Sequence, residues 1–292
     1  KKGKGYKIAE QDPIKYHGVT PFDVKTGVSE KIKKPKMLTY TNIFSKWINY
    51  AAINNSNFVA ITPAMREGSG LVEFEEKFPS RFFDVGIAEQ HSVTLAAGIA
   101  LGGLKAIVAI YSTFLQRAFD QLVHDVNLQN LDVMFAIDRA GLVGADGETH
   151  HGIYDISFMR ILPNIILMTP SNERELLLML NTGLSHKGPS AIRYPRGNTG
   201  CHDIVMTEEK VSIGKSKLIQ KGQKLAILVF GQLLSEVIDI SIKLSLTLVD
   251  MRFAKPIDKE RLDELSNTHQ HIITSEDNVV TGGAGSSINE YL

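Results

Sequence analysis

From residue 93 to residue 115 the chain runs almost without charge, a stretch long enough to raise the question of a membrane span, which takes about 20 residues. The Gly102-Gly103 pair and Lys105 argue against that reading. They divide the stretch into a buried helix over 90–101, a tight turn, and a short buried strand over 106–110. A helix, a turn and a strand in so little chain form the repeating unit of a parallel sheet covered by helices.

The rest of the sequence repeats that unit. Apolar runs at 58–61, 133–137, 165–168 and 191–194 predict buried strands, and 41–52, 114–127 and 172–184 carry helical periodicity. The expected fold class is α/β, a doubly wound, mostly parallel sheet. Pro170 ends one strand, and Ser171-Asn172-Glu173 supplies capping residues for the next helix. After Arg196-Gly197-Asn198 the composition loosens, and a second alternation follows: strand 224–230, helix 233–244, strand 246–250, helix 259–265, strand 272–275. The expected domains are therefore 37–199 and a second, incomplete α/β domain over 200–292. Residues 1–36, with scattered Gly, Pro and Lys and no sustained periodicity, read as an extended connector. The opening Lys1-Lys2-Gly3 has no Met or targeting segment, and the last residues look like the first turns of a helix, so the chain reads as cut at both ends.

Composition narrows the function classes. Lys+Arg and Asp+Glu both number 32, so no uniform field is available to hold nucleic acid or an anionic membrane. Cys201 is the only cysteine, which excludes a disulfide framework or a cysteine zinc site within one chain and fits a reducing, cytoplasmic setting.

In an open α/β sheet ligands bind beyond the carboxyl ends of the strands. Four predicted strands deliver polar residues there: Gly86 to His91, Tyr111 to Arg117, Arg139 to His151, and Pro195-Arg196-Gly197. Singly, each has an ordinary reading, with Glu89 complementing a helix dipole, Phe114 in a core, Arg117 solvated on a helix and His150 in a loop. Adjacent His150 and His151 lack helical zinc spacing, and no phosphate-binding glycine loop or nucleophile elbow is present. Only the ensemble is specific.

That ensemble resembles the pyrimidine-binding domain of the transketolase group of thiamine diphosphate enzymes, and within it the 1-deoxy-D-xylulose-5-phosphate synthases. The resemblance covers essentially the whole chain. It rests on Ile87-Ala88-Glu89-Gln90-His91 and Tyr111 through Gln121, on Lys2 through Tyr6 with His17, and on Thr62 through Gly70. It rests further on Asp138 through His150, Arg193-Tyr194-Pro195-Arg196-Gly197, and Asp250-Met251-Arg252-Phe253. It implies that Glu89 hydrogen-bonds the aminopyrimidine nitrogen of thiamine diphosphate, with a raised pKa, that Phe114 stacks on that ring, and that Ile87 and Met65 form its apolar wall. Tyr6 and Lys2 would approach the cofactor from the connector. Tyr111, Arg117 and Arg196 are similar to groups holding the phosphate of D-glyceraldehyde 3-phosphate, and His17, Asp146 and His150 to polar groups around the reacting carbons. The implied reaction condenses pyruvate with D-glyceraldehyde 3-phosphate, loses carbon dioxide and feeds isoprenoid, thiamine and pyridoxal synthesis. A homodimer is implied as well.

One departure matters. The family's first domain carries a Gly-Asp-Gly motif that holds Mg2+ and the diphosphate, and this chain has none, nor any metal-ligand set of its own. The chain is thus expected to be inactive without an N-terminal domain or second polypeptide supplying that half. The alternatives are a beta-type subunit of a split transketolase or 2-oxo acid dehydrogenase, and a non-catalytic scaffold that kept the fold.

Overall fold

The computed structural model describes residues 3–17, 19, 21–28, 37–144 and 146–292, which form two compact units, 1–36 and 37–292. In the first unit the stretch expected to be extended holds a short helix, α1 (Lys7–Gln11), and an aromatic cluster. Tyr16 meets Tyr6 and Phe22 edge-on at 5.9 and 5.3 Å, and its hydroxyl donates to the Gly27 carbonyl at 2.7 Å. Three rings burying one another account for local order that periodicity does not reveal.

The second unit opens with α2 (Tyr40–Asn54), started by a capping box in which Asn42 N–H donates to Thr39 Oγ1 at 3.1 Å and Thr39 N–H donates to Asn42 Oδ1 at 3.0 Å. Then follow β1 (Phe58–Thr62), α3 (Val72–Lys77), β2 (Phe82–Asp84), α4 (Glu89–Leu101) and β3 (Lys105–Tyr111). A broken helical stretch made of α5 (Ser112–Leu115) and α6 (Phe119–Gln121) with their flanking turns leads to β4 (Val133–Asp138). Next come α7 (Asp155–Arg160), β5 (Ile166–Met168), α8 (Glu173–Ser185) and β6 (Ser190–Arg193). The remainder contains β7 (Lys217–Gln220), β8 (Leu225–Phe230), α9 (Leu234–Lys243), β9 (Thr247–Asp250), β10 (Phe253–Lys255), α10 (Lys259–Thr268), β11 (His271–Glu276) and α11 (Ala284–Tyr291). Among the described residues no helix is long and apolar enough to cross a membrane.

The strands form two sheets, β10-β5-β6-β4-β3-β1-β2 and β11-β8-β9-β7. In the first, every pair but β10 with β5 is parallel. Its residues alternate between two apolar layers. Val59, Ile61, Val108, Ile110, Phe135 and Ile137 face one cluster, while Phe58, Ala60, Ile107, Ala109, Met134 and Ala136 face the other with α2 and α8. A sheet apolar on both faces must be covered on both, which is the doubly wound arrangement expected. The chain runs outward from β1 to β2, then returns past β1 to β3 and proceeds the other way, so the switch point lies between β1 and β3.

In the second unit the structure departs from expectation in three further places. The helix expected over 114–127 is interrupted by tight turns at Gln116–Ala118 and widened over Leu122–Asn127. Buried Leu115, Ala118, Leu122 and Val126 follow spacings of 3, 4 and 4, and the local tightening and widening keep all four facing the core. Strand β7 carries no long apolar run and is exposed on most of its length, which hid it. Strand β10, three residues long, leaves the C-terminal segment to pair with β5 at the edge of the first sheet.

Candidate active site

The floor of the site is built where β3 and β4 end in register, at Tyr111 and Asp138. Asp138 is fully buried and held by three donors, Thr41 Oγ1 at 2.7 Å, the Arg139 N–H at 2.7 Å and Arg139 Nη1 at 2.7 Å. Burial still pushes its pKa up, against these contacts. Arg139 has φ of 59°, a left-handed backbone that turns its side chain back over the sheet end. Its guanidinium lies 4.0 Å from the centre of the Tyr111 ring and donates from Nη1 to the Gly68 carbonyl at 2.9 Å. Gly68 is required there, since a Cβ would overlap the Tyr111 hydroxyl and the Met65 methyl. Burial raises the Tyr111 pKa to about 12, so its hydroxyl keeps its proton and remains a donor.

Aromatic and charged groups form the rim. Phe114 stacks on Tyr111 at 5.3 Å with 15° between planes, and the His150 ring meets Phe114 edge-on at 5.6 Å. His150 Nδ1 and the Thr149 hydroxyl share a hydrogen bond of 3.0 Å. Asp146 pairs with Arg196 and lies 3.9 Å from Arg139 Nε. Arg139 Nη1 is already taken by Asp138 and Gly68, so the more exposed Arg196 presents the accessible donors of the pair, suited to a small polyanion such as a phosphate ester. The loop carrying Asp146 and His150 is closed at its neck by a two-bond bridge between Gly141 and Gly152, and His151 Nδ1 accepts from the Val143 N–H at 2.8 Å.

Glu89 begins α4, just past β2, and is 4% exposed. Its Oε2 lies 3.6 Å from Arg117 Nη1, beyond hydrogen-bond distance, so the carboxylate keeps acceptor capacity. Met65 is half-buried, whereas Ile87 is 80% exposed. A buried carboxyl, a half-exposed aromatic ring and an uncovered apolar side chain fit the pyrimidine half of thiamine diphosphate, whose edge carries ring-nitrogen acceptors and an amino donor and whose faces are apolar. The described residues contain no group of three or more His, Cys, Asp or Glu placed to hold a metal ion.

Tyr6 and His17 lie in the first unit, where the Tyr6 hydroxyl donates to the Val24 carbonyl at 2.8 Å and His17 is exposed. Lys2 lies outside the described residues. The structure thus brings Tyr111, Phe114, His150, Asp146 and Arg196 together, with Glu89 and Arg117 as a second pair. The sequence reading assigned no role to Arg139 or Asp138, although both stand in a quoted motif. Their position directly after an apolar run was the available signal.

The chain matches the family described as "Transketolase, pyrimidine binding domain" over residues 36–201 and "Transketolase, C-terminal domain" over residues 214–292. Two curated relatives named 1-deoxy-D-xylulose-5-phosphate synthase, from Mannheimia succiniciproducens and Haemophilus influenzae, are each 56% identical across the whole chain. The chain spans 47% and 46% of their lengths, about half in each case. A solved structure titled "Split gene transketolase, inactive beta4 tetramer" superposes with a TM-score of 0.77 at 26% identity, covering 88% of this chain and 86% of that one.

Proposed function

The chain belongs to the transketolase pyrimidine-binding family, and from that premise we propose that it supplies the pyrimidine-binding half of a 1-deoxy-D-xylulose-5-phosphate synthase. The reaction would join pyruvate to D-glyceraldehyde 3-phosphate with release of carbon dioxide. The observation that carries this reading is the Arg139–Asp146–Arg196 cluster beside the Tyr111–Phe114–His150 rings, on a scaffold with relatives bearing that name.

Thiamine diphosphate, when bound, supplies the electron sink for carbon–carbon bond making and breaking. Glu89 would hydrogen-bond the aminopyrimidine ring nitrogen through its buried carboxyl, with Arg117 Nη1 3.6 Å from Oε2. Phe114 would stack on the pyrimidine, and Ile87 and Met65 would exclude water from its faces. Tyr111, Arg117 and Arg196 would hold the acceptor phosphate, with the Tyr111 hydroxyl as a hydrogen-bond donor, and Arg139, against the Tyr111 ring, would add its charge there. His150 and Asp146 would hold protons at the acceptor aldehyde. By the same resemblance, Tyr6 and Lys2 would contact the cofactor and His17 would serve the reacting carbons. Magnesium and the diphosphate would be held by a further domain or chain, and the assembly would be a homodimer.

The test is turnover of the two substrates by this chain combined with the family's N-terminal domain, thiamine diphosphate and Mg2+. Turnover that Glu89→Gln lowers by about a hundredfold or more supports the reading. Equal turnover by the variant, or none by the combined parts, overturns it. The second reading is a two-chain transketolase, favoured by the nearly coextensive match to the split-gene structure. Transfer of a two-carbon unit between sugar phosphates, with no consumption of pyruvate, would mark that outcome.

A further inference from the structure

The neck of the Asp146–His150 loop is gripped from the C-terminal sheet. Arg193, at the end of β6, is buried at 3% exposure. Its Nε donates to Asp155 Oδ2 at 2.9 Å, Nη1 to Asp277 Oδ1 at 2.6 Å, and Nη2 to the Gly152 carbonyl at 3.2 Å. Asp277 directly follows β11. Its other carboxylate oxygen lies against Gly141, at φ of 76°, where any Cβ would overlap it. The residues after Asp277 continue the grip, with Val279 N–H donating to the Ile153 carbonyl at 2.9 Å and Asn278 Nδ2 donating to Ser157 Oγ at 2.8 Å.

We propose that Asp277 is a positioning residue for the acceptor site: acting through Arg193 and Gly141, it holds the Gly141–Gly152 neck and thereby the placement of Asp146 and His150. One carboxylate engages both sides of the neck, Gly141 by packing and Gly152 through the shared guanidinium. Among its described residues the loop beyond the neck holds only a short turn at Glu148–His150 and meets the sheet end through Asp146 and His150, so the neck sets where its two ends leave the sheet and how those two side chains reach their partners. This assigns the C-terminal domain a part in acceptor binding without contact to substrate. It rests on the proposed function only in taking Asp146 and His150 as acceptor-side groups.

The experiment compares Asp277→Asn with Gly141→Ala, which crowds the carboxylate without removing the charge, and with Glu290→Gln as control. Glu290 pairs with Arg160 at 2.6 Å on the same junction but away from the neck. Backbone hydrogen exchange is read in the 292-residue chain, and kinetics are read in the complemented enzyme. Both test variants are expected to speed exchange over 142–151 by about tenfold while β4 and β8 keep their protection, and to raise KM for D-glyceraldehyde 3-phosphate by about tenfold with kcat within about twofold. Unchanged loop exchange in Asp277→Asn overturns the proposal, as does equal acceleration in Glu290→Gln. If the unsubstituted complemented enzyme fails to turn over the two substrates, the synthase reading falls, and the exchange comparison alone decides the role of Asp277.

Discussion

At the residue scale, Asp250 shows how the junction between the two sheets depends on proton concentration. It ends β9, is 1% exposed, accepts from Ser171 Oγ at 2.6 Å and from the Arg252 N–H at 3.0 Å, and shares its surroundings with buried Glu175, which Arg252 Nη2 meets at 2.7 Å. Burial, reinforced by Glu175 and opposed by the Ser171 and Arg252 contacts, raises its pKa from 3.8 to about 6. The folded chain therefore binds this proton more tightly than the unfolded chain does. Its contribution to stability is fully present below about pH 4 and is lost as pH rises through about 6. Asp250→Asn, which keeps the shape and removes the charge, is expected to stabilise the protein at pH 7 by about 2 kcal/mol and to flatten the slope between pH 4 and 6. Thermal melting across pH 4–8 reads both, and an unaltered slope would refute the assignment. Residues of this kind were not legible in sequence. Glu89, Tyr111 and Phe114 stood out because each follows a predicted strand or opens a helix. Arg139 and Asp250 matter through neighbours more than 60 residues away, Gly68 and Ser171, which spacing along the chain does not encode.

At the scale of elements, α2 and α8 are bolted together by one buried amide. Asn181 Oδ1 accepts from Trp47 Nε1 at 2.8 Å, while its Nδ2 donates to the carbonyls of Thr207 at 2.6 Å and Glu209 at 2.8 Å. Two helices and the linker after β6 thus meet at one side chain. Asn181→Leu conserves volume but strands the indole N–H and two carbonyls, and is expected to lower stability by about 2–4 kcal/mol. Trp47 is the only tryptophan, so its fluorescence during urea unfolding reports the loss directly. A change under about 0.5 kcal/mol would show that water or a shifted linker replaces the amide. Both helices were readable from period and caps: Asn172 accepts from the Glu175 N–H at 2.9 Å, as the Ser171-Asn172-Glu173 sequence predicts. Strands β7 and β10 were not, because four and three residues of mixed polarity carry no period, and their places depend on β9 and β5.

At the scale of the whole molecule, the two family domains do not end where their sequences divide. Strand β10, which follows three strands of the C-terminal sheet, closes the edge of the first sheet. One apolar cluster runs from Phe135 and Ile137 in β4, through Ile156 and Met159 in α7, to Leu228 in β8, Met251 and Ile288 in α11. Arg193 and Asp277 add a buried ion pair across the same junction. With the core shared, neither sheet can lose its packing without exposing apolar surface of the other, so residues 37–292 are expected to unfold as one cooperative unit although the sequence reads as two domains. Leu228→Ala removes core volume in the second sheet and Phe135→Ala in the first, and each is expected to destabilise by about 2–5 kcal/mol. The decisive point is where the loss appears. Both variants should move a single urea transition, monitored by Trp47 fluorescence near the first sheet and by far-ultraviolet circular dichroism over the whole chain. If Leu228→Ala instead splits the curve, with circular dichroism falling before Trp47 responds, the second sheet unfolds alone. The junction would then be an interface between independent domains.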